Sequence, residues 1–257
     1  MKKFSVIIIL LLVSFIFASE IGLRKLTSGS YEGSPSYWHG NNKLVYVARV
    51  SGETDLYVLD LSNGKASRLL DLPGSIEREP AVSPDGRYIT YISAKPDSRW
   101  ILNVYDLRTK RTREFTEIQG SCMTPSFSLD SSTILFSNDR GGDWDIYSIE
   151  VNGKNLKQIK LPGNQKNPVE TRTGIFYLDN QSGKYEIYRR SSDNRSIRMT
   201  MEGREHTGLG YDFNEGILYF AKEDILSTIW VADEDFIRQE QITFVGSDSF
   251  PTYDSEN

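Results

Sequence analysis

Short apolar runs alternate with polar turns along the chain, and this pattern returns at a nearly constant interval. In each unit an apolar residue ends one run, and nine or ten positions later a proline or leucine opens the next. The residues that end a run are Leu26, Leu70, Phe115, Ile159, Met199 and Ile242. The residues that open the next run are Pro35, Pro80, Pro125, Pro168, Leu209 and Pro251. These opening residues are 41 to 45 positions apart, which favours a four-stranded propeller blade over a helical repeat.

The runs inside each unit predict the remaining strands of a blade. Residues 89–92 and 102–105 are examples that are rich in β-branched and aromatic side chains and bounded by turn-forming residues. We name the strands of a unit a to d, with strand a at the opening residue and strand d before the next unit. The a–b turn is clearest at Ser83-Pro84-Asp85-Gly86, where proline fixes φ, Asp85 bonds the backbone and glycine accepts a positive φ. The pattern predicts an all-β propeller of four-stranded antiparallel blades.

Five units are complete, and one strand is left over at each end of the chain. Residues 22–27 supply a d strand and residues 250–255 supply an a strand. We predict that these two strands pair directly as a partial sixth blade, because closing the ring leaves only short, protected edges. The alternatives are a five-bladed ring with two additional strands, or a chain that is shortened relative to similar proteins. A homodimer that pairs through the incomplete blade is a further alternative.

The first nineteen residues have a different composition. Lys2 and Lys3 precede an apolar run at residues 4–17, and Ala18 and Ser19 follow it. This order is typical of a signal peptide, and the run is shorter than the about 20 residues of a membrane-spanning helix. We therefore predict a signal peptide at residues 1–19, one propeller domain at residues 20–257, no membrane span in the mature chain, and a periplasmic or extracellular location. An uncleaved anchor is the alternative.

Charge and cysteine content narrow the classes of partner. Without residues 1–19 the chain keeps 28 basic and 35 acidic side chains, a formal charge of −7, which argues against nucleic acid as a partner. Cys122 is the only cysteine, so the chain has neither an internal disulfide nor a cysteine-based metal site. Residues 138–145 are polar but lack the terminal glutamate of a calcium loop. We expect no metal and no cofactor.

Two segments carry a resemblance to a known family. Residues 80–93 (PAVSPDGRYITYIS) and 137–147 (SNDRGGDWDIY) resemble the WD-like repeats of TolB-type β-propellers. The resemblance extends over residues 22–257 and is strongest in the second and third units. It implies a periplasmic scaffold protein, although related repeats also form the substrate-gating propellers of prolyl-peptidase-like enzymes. A shared fold alone does not assign a function.

Catalytic chemistry has little support in the sequence. There is no G-x-S-x-G motif, and His39 and His206 are the only histidines. We interpret His39 as a solvated turn residue. Carboxylates recur at the ends of the c strands, as Asp60, Asp106, Glu150 and Asp233. We interpret them as caps of the following turns, because catalytic carboxylate pairs lie about 5–10 Å apart and blades diverge. The prediction is a non-enzymatic protein; the alternative is an envelope carbohydrate hydrolase or lyase at the channel mouth.

Topology indicates where a partner would bind. The b–c and d–a loops emerge on one face of the ring, and their lengths and sequences vary most. Variable loops on a rigid scaffold commonly form binding sites. We therefore predict that a protein or cell-envelope partner binds at this face, around the channel mouth. The candidate contact residues are Tyr31, Arg78, Glu79, Asn167, His206 and Phe250.

Overall fold

The computed structural model describes residues 8–11, 24–26, 32–50, 52–70, 72–95, 98–223, 227–242 and 252–254. Within these ranges the regular structure consists of β-strands, with no helix that could span a membrane. Five four-stranded antiparallel sheets, each made of consecutive strands, form a ring. The molecule is a five-bladed β-propeller, which confirms the predicted all-β class and blade type.

Each blade follows the order a-b-c-d from the channel outward. Blade 1 consists of β3 (Glu32–Trp38), β4 (Lys43–Val50), β5 (Glu53–Asp60) and β6 (Lys65–Arg68). Blade 2 consists of β7 (Ile76–Val82), β8 (Tyr88–Ala94), β9 (Ile101–Asp106) and β10 (Arg111–Glu114). Blade 3 consists of β11 (Cys122–Phe127), β12 (Thr133–Asn138), β13 (Asp145–Glu150) and β14 (Lys157–Ile159). Blade 4 consists of β15 (Gln165–Thr171), β16 (Gly174–Asp179), β17 (Glu186–Arg190) and β18 (Ser196–Arg198). Blade 5 consists of β19 (Glu205–Asp212), β20 (Ile217–Glu223), β21 (Ser227–Asp233) and β22 (Gln239–Gln241).

A sixth sheet is formed by strands from the two ends of the chain. Its order is β2 (Arg24–Lys25), β1 (Ile8–Leu11) and β23 (Thr252–Asp254), with β1 antiparallel to β2 and parallel to β23. The predicted direct pairing of residues 22–27 with residues 250–255 is therefore not observed. The reason is that β1, a run of isoleucine and leucine, occupies the position between them. The partial sixth blade is not formed as predicted, and the five-bladed alternative describes the ring.

The hydrophobic core lies between neighbouring blades. Val104 and Phe115 of blade 2 pack with Phe136 and Ile149 of blade 3, and all four side chains are buried. A matching cluster joins blades 4 and 5. Because the blades share these clusters, each blade depends on its neighbours for burial of its apolar side chains.

Contacts between turns join the last blade to the first. The ring of His39, in the a–b turn of blade 1, lies 4.4 Å from the ring of Phe213 in the a–b turn of blade 5. The amide Nδ2 of Asn214 lies 3.4 Å from His39 Nδ1. His39 is thus half-buried in a contact between blades, whereas the sequence suggested a solvated residue. The prediction missed this because only ring closure brings the two turns together.

Candidate functional site: the channel and its rim

A cavity of about 200 Å³ lies at the centre of the ring. It is lined by a strands of all five blades and extends to the a–b turns, including His39, Leu129 and Phe213. Glu79 and Asn167, two of the predicted contact residues, line it. The repeat pattern pointed to the opposite end, at the b–c and d–a loops, and not to a cavity that reaches the a–b turns.

Every a strand contains a bulge just before its opening proline or leucine. The register shift falls at this point in all five a strands. The residues there have positive φ: Ser34 at 47°, Glu79 at 53°, Thr124 at 48°, Asn167 at 51° and Gly208 at 61°. Positive φ is uncommon for residues with a side chain. The recurrence indicates that the ring, rather than local preference, imposes the conformation.

Hydrogen bonds link successive bulges around the channel. The backbone N–H of Thr124 donates to Glu79 Oε2 at 2.6 Å, and the N–H of Asn167 donates to Thr124 Oγ1 at 3.1 Å. The acceptor on one blade therefore satisfies the donor that the bulge exposes on the next. This arrangement holds Glu79 and Thr124 in fixed positions, so that the channel wall is preorganised.

Cationic side chains stack on aromatic rings beside the channel. The Arg78 guanidinium lies 4.7 Å from the centre of the Trp100 ring, and its Nε lies 3.2 Å from Glu79 Oε1. Lys166, which precedes Asn167, lies 4.6 Å from the Tyr185 ring. These cation–π contacts fix the charged groups at the loop face.

Trp100 and Tyr185 were not among the residues predicted from the sequence. Each residue directly precedes a c strand, and Trp144 has the same position in blade 3. The signal was therefore present as an aromatic residue repeated at one position in three successive units. The turn residues of the b–c connections do not show by themselves that these aromatic rings contact cationic side chains of strand a.

His206 is separated from the channel by its burial. Its side chain is completely buried, and Nδ1 lies 3.0 Å from the carbonyl oxygen of Arg204 and 3.2 Å from that of Tyr185. Nδ1 therefore carries the proton, and Nε2 has no hydrogen-bond partner among the described residues. Burial lowers the pKa of His206, and the hydrogen bond to Tyr185 only partly opposes this effect.

The lowered pKa of His206 should make the stability of the protein depend on pH. A base with a lowered pKa in the folded state binds fewer protons than in the unfolded state, so stability falls as the pH drops below the ordinary value of 6.5. We expect the urea midpoint to decrease between pH 7.5 and pH 5.5. His206→Asn keeps an amide donor but does not titrate, so its midpoint should change less. Equal pH dependence in both proteins would contradict this assignment.

Of the other predicted contact residues, Tyr31 and Phe250 lie outside the described residues. Arg78 and Glu79 form an ion pair in blade 2. Asn167 lines the same cavity as Glu79 but belongs to blade 4. His206 lies behind Tyr185, to which its own backbone N–H donates at 2.8 Å. Binding of a partner by these residues stays a prediction.

Three of the four carboxylates at the ends of the c strands cap turns, whereas the fourth, Glu150, accepts the side-chain amides of Asn152 and Asn155. Asp106 Oδ1 accepts the N–H groups of Arg108 and Thr109 at 2.8 and 3.1 Å. Burial opposes ionisation of Asp106, but its bond to Arg87 and these two N–H groups outweigh burial and lower its pKa to about 2. Asp60 and Asp233 accept turn N–H groups in the same way. The described residues contain no group of three or more His, Cys, Asp or Glu side chains that could hold a metal ion.

Comparison with known proteins identifies the family. The model of the TolB beta propeller domain matches residues 75–257. The chain belongs to this family. This match confirms the resemblance to TolB propellers seen in the repeats. Residues 80–93 and 137–147, the two segments that show the resemblance, both lie within the matched range.

Individual TolB proteins are similar over shorter stretches. The Tol-Pal system protein TolB of Francisella tularensis subsp. tularensis is 33% identical over 123 residues, which are 47% of this chain and 28% of that protein. A TolB homolog of Chlorobaculum tepidum is 28% identical over 124 residues, 47% of this chain and 27% of that protein. The aligned part thus spans little more than a quarter of these relatives. The crystal structure of TolB from Acinetobacter baumannii superposes with a TM-score of 0.77 at 18% identity, covering 90% of this chain and 59% of that one, which supports the fold alone.

Proposed function

We propose that this protein is a non-catalytic scaffold of the cell envelope that binds a protein or another envelope component at the loop face of its propeller. Membership of the TolB propeller family supports a scaffold role. A relative from Francisella is a Tol-Pal system protein. The observation that carries the proposal is a pair of cation–π contacts at the loop face, which we call the rim: Arg78 lies over Trp100, and Lys166 lies over Tyr185.

The chemistry of this rim suits a peptide or protein segment. Arginine, tryptophan and tyrosine are the residue types that contribute most to protein interfaces. Arg78 is about half exposed, with 46% of its side chain accessible, whereas Glu79 is only 11% exposed. A partner can therefore contact the guanidinium and the ring edges while Glu79 maintains the channel wall.

The channel wall is preorganised. The bulged residues are held by bonds between blades, from Thr124 N–H to Glu79 and from Asn167 N–H to Thr124. A rigid surface loses less conformational entropy on association than a mobile one. We infer that the loop face acts as a fixed platform and that the partner supplies the segment that adapts.

Export is part of the proposal. Residues 1–19 are proposed to be a leader that is removed together with β1, the middle strand of the sixth sheet, leaving the propeller of residues 20–257 in the periplasm or outside the cell. Mass spectrometry of the protein recovered from the envelope fraction tests this step. A mass that includes residues 1–19 would favour the uncleaved anchor. The homodimer through the terminal strands remains a separate prediction.

Capture from a solubilised envelope extract at two salt concentrations tests the binding face. A partner bound by the native protein should be retained about tenfold less by Arg78→Ala and by Lys166→Ala, since each change removes a cation–π anchor of the rim. Arg195→Ala is the control, because it removes one exposed charge from the c–d turn of blade 4. Equal retention by Arg78→Ala and Arg195→Ala would contradict the proposed face. Leu129→Ala is a further variant, at the a–b turns. If only this variant lost the partner, the binding site would lie at the a–b end of the channel.

A further inference from the structure

One turn of the propeller departs from the repeat in its charge. The c–d turn of blade 2 and the strand after it expose four basic side chains, Arg108, Lys110, Arg111 and Arg113, in a chain whose formal charge is −5. The corresponding turn of blade 1 is Leu61-Ser62-Asn63-Gly64, followed by Lys65. Because blade 1 forms this turn without the cluster, the fold does not require it.

The basic turn retains a lysine in a conformation that favours glycine. Lys110 has φ of 59°, and Gly64 has φ of 70° at the same place in blade 1. The equivalence follows from the strand registers, which pair Asp106 with Arg111 and Asp60 with Lys65. A side chain disfavours positive φ, so Lys110 takes this position at a cost to the backbone, as Phe236 with φ of 57° does in the c–d turn of blade 5.

The cluster borders a cleft between blades 2 and 3. The cleft has a volume of about 550 Å³. Its floor includes Val104, Val151 and the Tyr88 ring, which belong to the core shared by these two blades. Arg111 and Arg113 stand at its rim. The cleft therefore combines an apolar floor with a cationic edge.

The charges of the cleft are only partly compensated. Asp106, its one acidic lining residue, is paired with Arg87 at 2.9 Å. Arg113 donates to the carbonyl oxygen of Asn152 at 2.5 Å and lies 3.8 Å from Glu117 Oε1. Arg111 is different, since its guanidinium makes no hydrogen bond or ion pair with any residue that the structure describes. Its donors are available to an anion from solution.

We propose that this cleft binds a phosphate-bearing ligand, with the phosphate at Arg111, the exposed charges of Arg108 and Lys110 adding to the positive potential from the adjoining turn, and an apolar portion on the floor formed by Val104 and Val151. A guanidinium presents parallel N–H donors that match phosphate oxygens. A free phosphate would leave the apolar floor uncovered, so an anionic phospholipid, which carries apolar acyl chains beside its phosphate, fits the cleft better. The site lies outside the channel and does not depend on the proposed function.

Two sets of ligands distinguish the sources of the phosphate. The native protein is mixed with vesicles of phosphatidylglycerol and phosphatidylcholine, or of phosphatidylcholine alone, in 150 mM salt and sedimented. Glycerol 3-phosphate is titrated separately by calorimetry. We expect binding to the phosphatidylglycerol vesicles. The chain is acidic overall, so its net charge does not favour these vesicles, and the variants separate the cleft from general attraction by the basic turn. Binding of glycerol 3-phosphate without vesicle binding supports the phosphate site and assigns it to a soluble ligand.

Three variants test the residues. Arg111→Gln should weaken binding about tenfold, the effect of losing a charge-assisted bond. Lys65→Gln makes a similar charge change at the corresponding position of blade 1 and should bind like the native protein. Lys110→Gly should weaken binding while raising the thermal unfolding temperature, which separates loss of charge from loss of folding. Equal binding by Arg111→Gln and Lys65→Gln, equal sedimentation with both vesicle types, or no binding of either ligand would overturn the proposal.

Discussion

Replacing Glu186 by alanine is expected to lower the free energy of unfolding by about 3 kcal/mol, because it removes the acceptor of a buried cluster. Glu186 begins strand c of blade 4 and is completely buried. Its carboxylate accepts bonds from Arg198 Nη2 at 2.7 Å, the Thr200 hydroxyl at 2.6 Å and the N–H of Gly203 at 2.9 Å. Urea denaturation of the native protein and Glu186→Ala gives the difference directly.

The partners of Glu186 explain the size of the effect. Thr200 is itself buried, so its hydroxyl would lose its acceptor where water does not replace it. The side chain of Arg198 is 31% exposed, so it could turn partly to solvent, which keeps the expected loss near the lower end of the range for buried pairs. The three hydrogen bonds of Glu186 also connect strand c to strand d and to the loop that contains Gly203. This loop should open more easily in Glu186→Ala.

Asp145 provides a matched control in blade 3. It also begins strand c, but its partner is the neutral Gln158, whose Nε2 lies 2.8 Å from Asp145 Oδ2. Burial and then the nearby Asp143 raise the pKa of Asp145. Asp145→Asn should therefore change the unfolding free energy by less than about 0.5 kcal/mol, whereas Glu186→Gln should cost more. Equal costs would show that the charge of Glu186 is unimportant.

The pH dependence separates the two acids further. Burial opposes ionisation of Glu186, but Thr200, Arg198 and Gly203 outweigh burial and hold its pKa below the ordinary value of 4.5. Its contribution to stability is present above that value and is lost as the pH falls through the folded pKa. The difference in urea midpoint between the native protein and Glu186→Gln should thus shrink from pH 6 to pH 3.

Local turn chemistry was the part of the fold that the sequence predicted best. At Ser83-Pro84-Asp85-Gly86 the Ser83 hydroxyl donates to Asp85 Oδ1 at 2.6 Å, Asp85 accepts the N–H of Arg87 at 3.0 Å, and Gly86 has φ of 69°. All these groups lie within five residues of one another. Residue preferences alone therefore identify the turn, and its repetition identified the blades.

Features that arise from packing between blades could not be predicted in this way. The left-handed Glu79 precedes a proline, a position where local sterics favour extended backbone. It is stabilised by a donor on the next blade, Thr124 N–H. The burial of His206 and the contact of His39 with Phe213 likewise depend on residues far away in the chain. Sequence periodicity located the strands, but the partners across the ring emerged only from the assembled structure.

Gly174 combines both kinds of constraint, and Gly174→Ala is expected to cost about 3 kcal/mol. Residues 171–174 replace the Ser-Pro-Asp-Gly turn in blade 4, and Gly174 has φ of 138°. A Cβ at this position would lie 2.2 Å from the backbone oxygen of Arg190. Because this oxygen belongs to strand c rather than to a flexible side chain, the strand itself would have to move.

Gly183→Ala separates steric clash from backbone strain. Gly183 also has a positive φ, 93°, but a Cβ there meets no atom within 4 Å. Its substitution should cost about 1 kcal/mol, the penalty of the left-handed conformation alone. Comparison of the two variants by urea denaturation isolates the contact with Arg190. Equal losses of stability in the two variants would contradict the prediction. They would show that the contact between a Cβ at position 174 and the Arg190 oxygen is relieved without cost.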